Sequence, residues 1–212
     1  MSPRACLVDV YDTLVTCDFS AIWRERAVLT GIPYEAWNEA FRHVGPTLGV
    51  GQMSIAEAMD VTLRTLGVEQ RDGLVQELAA TNREMLLAKA TLFQDAMPFL
   101  ELLRERGITI VIVSNCNENT RPLLIELGVA TIADSLVLSC EVGWIKPSPL
   151  IFRRALEMAG VPGEDALFVD DQPSFCAGAE AVGIRSAQIV RDGELPAGGV
   201  RSLLDLEPLL RQ

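Results

Sequence analysis

The chain has 212 residues, 49% hydrophobic and 22% charged, which suffices for one ordinary globular core, or a core with a sizeable insertion, and excludes disorder and collagen-like repetition. Lys and Arg total 18 against 29 Asp and Glu, a formal charge of -11. A surface this acidic repels a phosphate backbone and excludes nucleic acid as a partner, although a local Lys, a metal ion or a helix N-terminus can still draw a small anion into one cleft.

The first element in chain order is Ala5–Val8 (ACLV), an aliphatic run that stops at Asp9. From Leu14 to about Leu92 only helical periodicities follow, over residues 21–29, 34–44, 55–66 and 72–88. Roughly seventy residues of helix are far too many for a βαβ crossover, so residues 18–90 are predicted to form an inserted helical cap over a core of residues 1–17 and 91–212. A helix capped by Asp95 should turn Phe99, Leu102 and Leu103 inward and stop before Gly107. Residues 108–113 (ITIVIV) form the second strand, ending at Ser114 and Asn115, and Ser135–Leu138 forms another. Ser148 and Pro149 open a helix with Phe152, Ala155, Leu156 and Ala159 inside and Gly160 as its stop. Residues 166–169 (ALFV) end at Asp170 and Asp171, before a helix whose small stripe Ala177, Gly178, Ala181 permits close approach and which ends at Gly183. A weaker strand at 187–190, a loop at 192–199 and a last helix at 203–211 complete the chain.

Apolar runs without alternation read as strands buried on both faces, so the fold class is α/β, a Rossmann-like, doubly wound parallel sheet of about five strands with the helical cap inserted. The longest strongly apolar stretch is too short to span a bilayer, and Asp9 interrupts the N-terminal segment before a secretory-type run develops; no membrane partner and a cytoplasmic address are the expectations. Five cysteines (Cys6, Cys17, Cys116, Cys140, Cys176) are odd in number and lack a C-x-x-C pair, so they are predicted to be reduced, mostly buried thiols rather than a disulfide scaffold or zinc site.

Ligands of open α/β sheets gather outside the carboxyl ends of the strands. That end should carry Asp9, Tyr11, Asp12 and Thr13, then Ser114 and Asn115, then Asp170 and Asp171, with Lys146 from the loop GWIKPSP joining them. A carboxylate nucleophile, a hydroxyl and a Lys to hold an anion, and a carboxylate pair to hold a hard cation are the parts for displacement at a phosphoryl group or an activated carbon. Each part alone is ordinary turn or cap chemistry. Their coincidence at one end of the sheet carries the reading. His43 reads as a surface or partly buried residue rather than a base, and Trp23, Trp37 and Phe41 as a helical core stripe.

The segments D-V-Y-D-T-L (Asp9 to Leu14), V-S-N (Val113 to Asn115), K-P-S-P-L-I-F (Lys146 to Phe152) and V-D-D with G-A-E-A-V-G (Val169 to Gly183) resemble, in order, the motifs of the haloacid dehalogenase superfamily. The resemblance implies that Asp9 is a nucleophile forming a covalent aspartyl intermediate. Thr13 would fix the loop, Ser114 would hydrogen-bond the transferring group and Lys146 would neutralise charge. Asp170 and Asp171, with Asp9 and the Tyr11 carbonyl, would hold Mg²⁺. Three departures divide the activity. Tyr11 stands where the family's phosphatases carry an acid/base Asp and is similar to 2-haloacid dehalogenases, which need no metal. Ser20 to Arg24 also resembles the dehalogenase segment carrying a substrate-binding Arg, making Trp23 and Arg24 candidate substrate contacts beside Asn115 of the V-S-N segment, with a cap salt bridge as the other reading of Arg24. The Asp170–Asp171 pair points instead to a Mg²⁺ site, and Phe175 replaces the usual polar residue near the Lys.

The leading expectation is therefore Mg²⁺-dependent hydrolysis of a small, anionic phosphorylated metabolite. Either Asp12 takes over acid/base work, or the leaving group needs little protonation. The alternatives are a 2-haloacid dehalogenase and a catalytically silent relative that binds a ligand through the cap; a receiver-type signalling domain is disfavoured by motif order. The sequence is silent on substrate identity and oligomeric state.

Overall fold

The computed structural model describes residues 2–69 and 71–211. The chain opens with β1 (Ala5–Val8) and β2 (Val15–Cys17). Helices α1 (Phe19–Thr30), α2 (Tyr34–Arg42), α3 (Gly45–Gly49), α4 (Ile55–Thr65) and α5 (Leu74–Lys89) then lead to β3 (Ala90–Leu92). Alternation follows through α6 (Ala96–Glu105), β4 (Thr109–Ser114), α7 (Thr120–Glu126), α8 (Val129–Ile132), β5 (Ser135–Leu138), α9 (Ser139–Val142), α10 (Pro149–Ala159), β6 (Ala166–Asp170), α11 (Pro173–Glu180) and β7 (Arg185–Gln188). A 3₁₀ helix spans Leu203–Leu210.

Five strands form one parallel sheet in the order β5-β4-β1-β6-β7. All four residues of β1 are buried because it is the middle strand, covered on both faces. Successive side chains of a strand point to opposite faces. Cys6, Val8, Ile110 and Ile112 thus pack with Phe99 and Leu103 of α6, whereas Leu7, Val111 and Val113 pack with Phe152 of α10 and Ala179 of α11. The sheet is a doubly wound α/β sandwich, as the apolar runs predict.

The register sets the site. Val8 pairs with Ile112 and with Val169, so the residues after these positions emerge side by side. β4 and β6 each run one residue further than predicted. Ser114 pairs with Leu138 and Asp170 with Gln188, which makes these two polar residues the last rungs of the ladder. α1 to α5 pack around their own core of Trp37, Met59, Leu63 and Leu78.

Several expectations are corrected. β2 and β3 form an antiparallel pair that brackets the helical insert, where only helices were expected; three residues each give no periodicity to read. The 45–49 helix is a single short turn region and was also not predicted. The last strand lies at Arg185–Gln188, not 187–190, because this sheet edge tolerates polar residues. Asp95 stands at the start of α6 but caps nothing there; its carboxylate instead accepts from Arg191 at 2.7 Å, Ser202 at 2.7 Å and the Leu203 amide at 2.8 Å, tying the C-terminal segment to the core. α11 buries Cys176 and Ala179 rather than Ala177 and Ala181. The last helix is 3₁₀, with Pro208 inside it. Only Cys6 and Cys176 are buried; Cys17, Cys116 and Cys140 are partly exposed.

Candidate active site

Asp9 follows β1 directly, and its amide donates to the Val169 carbonyl at 3.0 Å, fixing its position against β6. The chain then turns sharply. The Leu14 and Val15 amides both donate to the Val10 carbonyl at 2.8 Å, and Asp12 takes the left-handed conformation at φ 58°. Asp is among the residues that tolerate this region. The turn leaves Asp9 and Thr13 buried and Asp12 exposed.

Lys146 is the centre of the charge cluster. Its ammonium donates to Asp9 Oδ1 at 2.5 Å and to Asp170 Oδ2 at 2.6 Å, and the residue is only 2% exposed. Burial works against the charged ammonium, yet the two carboxylates outweigh it and hold its pKa above the ordinary lysine value. Asn115 clamps the Lys146 backbone from both sides: its Oδ1 accepts from the Lys146 amide at 2.7 Å and its Nδ2 donates to the Lys146 carbonyl at 2.9 Å. Expected as a substrate contact, Asn115 thus has its amide engaged in holding Lys146. Phe175, where the resemblance leads one to look for a polar anchor, lays its ring 5.1 Å from the ammonium, and Asp170 supplies the anchoring bond.

The acids outnumber the Lys. Ligand oxygens of Asp9, Asp170 and Asp171 lie within 4.8 Å of one another. Burial, then the Asp9 charge, push Asp170 up to about 7 despite Lys146, and Asp171 is raised by burial and by Asp9 and Asp12. One Lys therefore leaves the cluster under-neutralised. Three hard oxygen donors with uncompensated charge fit a Mg²⁺ ion, which takes carboxylates and water. Two buried hydroxyls, Ser114 Oγ and Thr13 Oγ1, have no hydrogen-bond partner among the described residues. Buried polar atoms are normally satisfied, so the Ser114 hydroxyl beside Asp9's strand is available to an incoming oxyanion.

Tyr11 turns away from proton transfer. Its hydroxyl hydrogen-bonds Thr120 Oγ1 at 3.0 Å and its ring packs on Phe19, while burial pushes its pKa well above the ordinary phenol value. Such a group is a poor acid for a leaving alcohol. Asp12 is the remaining carboxyl on this turn, raised by burial and by the charge of Asp9.

A cavity of about 440 Å³ lies between the helical insert and the sheet, with Tyr11, Asn115, Cys116 and Thr120 on one side and Trp23, Arg26, Phe41 and Asn82 on the other. Here Arg24 is corrected. It points outward and pairs with Asp18 at 3.6 Å on the surface, so the salt-bridge reading holds. Arg26 is the inward cation. Residues three apart share a helix face and neighbours do not, so Trp23 and Arg26 face the cavity together. Trp37 is core, as expected of the stripe, but Trp23 and Phe41 line this cavity. The Arg26 guanidinium lies 4.2 Å from the Trp23 ring and 4.9 Å from the Phe41 ring, 4% exposed, and donates to Asn82 Oδ1. Its Nε and Nη1 have no partner, no ion pair to it occurs among the described residues, and burial pulls its pKa down to about 10. An uncompensated buried guanidinium is costly; a ligand anion would relieve it.

Comparison with known proteins agrees with this geometry. The family model of haloacid dehalogenase-like hydrolases matches residues 3–183. Among relatives, a phosphatase of Mycobacterium tuberculosis (strain CDC 1551 / Oshkosh), MT3486, is 29% identical over 222 residues, covering 99% of this chain and 98% of that protein. The (S)-2-haloacid dehalogenase 4A of Burkholderia cepacia is 27% identical over 233 residues, covering 99% and 95%. The crystal structure of a HAD phosphatase from Thermococcus onnurineus superposes with a TM-score of 0.71 over 98% of both chains at 23% identity, a likeness of fold. With a parallel sheet, an acid cluster at its carboxyl end and a family match over most of its length, the chain belongs to the haloacid dehalogenase-like hydrolases.

Proposed function

We propose that this hydrolase cleaves a small phosphorylated metabolite with Asp9 as nucleophile and Mg²⁺ as cofactor. The observation that carries the reading is the convergence of Asp9, Asp170 and Asp171 oxygens within 4.8 Å, a donor set that a metal-free reaction at carbon does not need. In this reading the helical insert, residues 18–90, is a cap and residues 1–17 with 91–212 the core. Asp9, Asp170, Asp171 and the Tyr11 carbonyl would hold the ion, which supplies charge neutralisation for an anion approaching carboxylates.

The chain's own residues supply the rest. Asp9, held by Lys146, attacks phosphorus and forms an aspartyl phosphate. Lys146 and the free Ser114 hydroxyl stabilise the transferring oxygens, a task for which fixed donors in a dry site are suited. Asp12, on the exposed turn that follows the nucleophile, protonates the leaving group and then activates water. Arg26 receives a second anionic group of the substrate, such as a carboxylate, in the apolar cavity.

A second reading, dehalogenation of a short 2-haloacid, is favoured by one observation, the inert Tyr11 at the acid/base position. Phosphate release from a panel of small phosphomonoesters, with Mg²⁺ or with EDTA, beside halide release from 2-chloropropionate, separates the two. Mg²⁺-dependent phosphate release lost in Asp9→Asn supports the proposal; halide release that persists in EDTA would replace it.

A further inference from the structure

Outside the acid cluster, the two sulfurs of Cys116 and Cys140 approach to 3.9 Å. Cys116 follows Asn115, the residue that clamps Lys146; Cys140 lies in α9, after β5. The Cys116 amide donates to Ser139 Oγ at 2.9 Å, and that hydroxyl donates to the Gly49 carbonyl of the helical insert at 2.6 Å. At Gly51 even a Cβ would come within 1.8 Å of the Cys140 carbonyl oxygen. The thiol pair thus sits on the seam between insert and core, next in sequence to the Asn115 clamp of Lys146. It is reachable from two sides. Cys116 lines the 440 Å³ cavity, and Cys140 lines a surface groove of about 600 Å³ with Glu118 and Arg121.

We infer that Cys116 and Cys140 are an oxidative modification site, converted by a peroxide into an intramolecular disulfide that disables the hydrolase reversibly. The Cys116 sulfur attacks one peroxide oxygen, the O–O bond breaks and, with a proton, water leaves; Cys116 becomes a sulfenic acid. The Cys140 sulfur then attacks Cys116, the S–O bond breaks and a second water leaves. Two thiols lose two electrons in all, and one hydrogen peroxide becomes two waters. The Cys140 thiol, the Thr120 hydroxyl and neighbouring amides hold the Cys116 thiol below its ordinary pKa, against the effect of burial, which favours Cys116 as the attacking sulfur. A disulfide is about 2.05 Å long, so the sulfurs must close nearly half of their present 3.9 Å separation. Cys116 is bonded in sequence to Asn115, and the movement falls on the clamp of Lys146 and on the Tyr11–Thr120 contact.

The test uses the full chain. Native protein is treated with hydrogen peroxide, alkylated under denaturing conditions and mapped without reduction, and turnover is followed on whichever of p-nitrophenyl phosphate or 2-chloropropionate the reduced enzyme accepts. The expected result is a 116–140 cross-linked peptide, alkylation retained at buried Cys6 and Cys176, and a loss of turnover of tenfold or more that dithiothreitol restores. Cys140→Ser should keep its basal turnover, form no cross-link and leave a trappable sulfenic acid at Cys116. Cys116 and Cys140 both alkylated after exposure that oxidises other thiols would overturn the site. A cross-link that forms without changing turnover would overturn its effect on the hydrolase.

Discussion

Lys146 holds the site together at the scale of single residues, bonding two buried carboxylates that otherwise repel. Lys146→Met should abolish turnover and destabilise the fold by about 3 to 5 kcal/mol, because breaking a buried pair strands its charges; urea unfolding measures the second effect. Arg26→Met should behave differently. It removes a buried cation with no ion-pair partner among the described residues and two unpartnered nitrogens, so the fold should be as stable or more so, while KM for a carboxylate-bearing substrate rises about tenfold to a hundredfold, the value of a lost charge-assisted contact. Loss of stability in Arg26→Met without a change in KM would mark the guanidinium as structural. Asp12→Asn should slow alkyl phosphates by about 10² to 10⁴, the usual contribution of a general acid, and acetyl phosphate far less, since its leaving group needs little protonation. Asp9, Ser114, Asp170 and Asp171 were legible as a group because each ends an apolar run or sits beside one, and the parallel register brings those ends together; Lys146 was legible from its loop, GWIKPSP, as the cation to join them. Arg26 was not, since which side of α1 faces the cavity depends on packing against α5, and a motif-based reading pointed to its neighbour Arg24.

Among the elements, the loop carrying Lys146 is held in place by α11. A Cβ at Gly178 would meet Pro147 Cβ at 2.7 Å and the Pro147 carbonyl at 3.0 Å. Gly178→Ala should therefore push that loop outward, costing about 1 to 3 kcal/mol as other overpacked sites do and lowering kcat more than KM. The sequence marks Gly178 as a point of close approach, but the partner is this loop and not the sheet. Asp95 makes a prediction about pH. Although burial opposes it, hydrogen bonds from Arg191, Ser202 and Leu203 hold its pKa below the ordinary carboxylate value. A depressed folded pKa gives stability that is present above the unfolded value, about 3.9 for Asp, and lost as pH falls through the folded one. Asp95→Asn should thus lower stability at neutral pH by about 1.5 to 3 kcal/mol, the value of a charged hydrogen bond, and flatten the acid limb of the stability curve. That limb unchanged in the variant would contradict the assignment. The core strands could be read from their unbroken apolar runs and the longer helices from their periods; β2, β3 and α3 could not, since their pairing and packing partners are remote in sequence.

Taken whole, the molecule carries a formal charge of -11 and gathers three of its acids around one Lys. Its surface field opposes an anionic substrate, and only the local balance at the carboxyl end of the sheet can reverse that. Among the described residues no helix is long and apolar enough to cross a membrane. In the proposed reaction Asp9 accepts a phosphoryl group beside a Mg²⁺ ion. Beryllofluoride, a tetrahedral stand-in for an aspartyl phosphate, tests it without knowledge of the substrate. A ligand at a hundred times its Kd adds about 2.7 kcal/mol, which for a chain of this size raises Tm by about 5 to 10 °C. Thermal unfolding with Mg²⁺ and beryllofluoride together should show that rise, either alone should give much less, and Asp9→Asn should show none from the pair; a wild-type Tm unmoved by the combination would contradict the account.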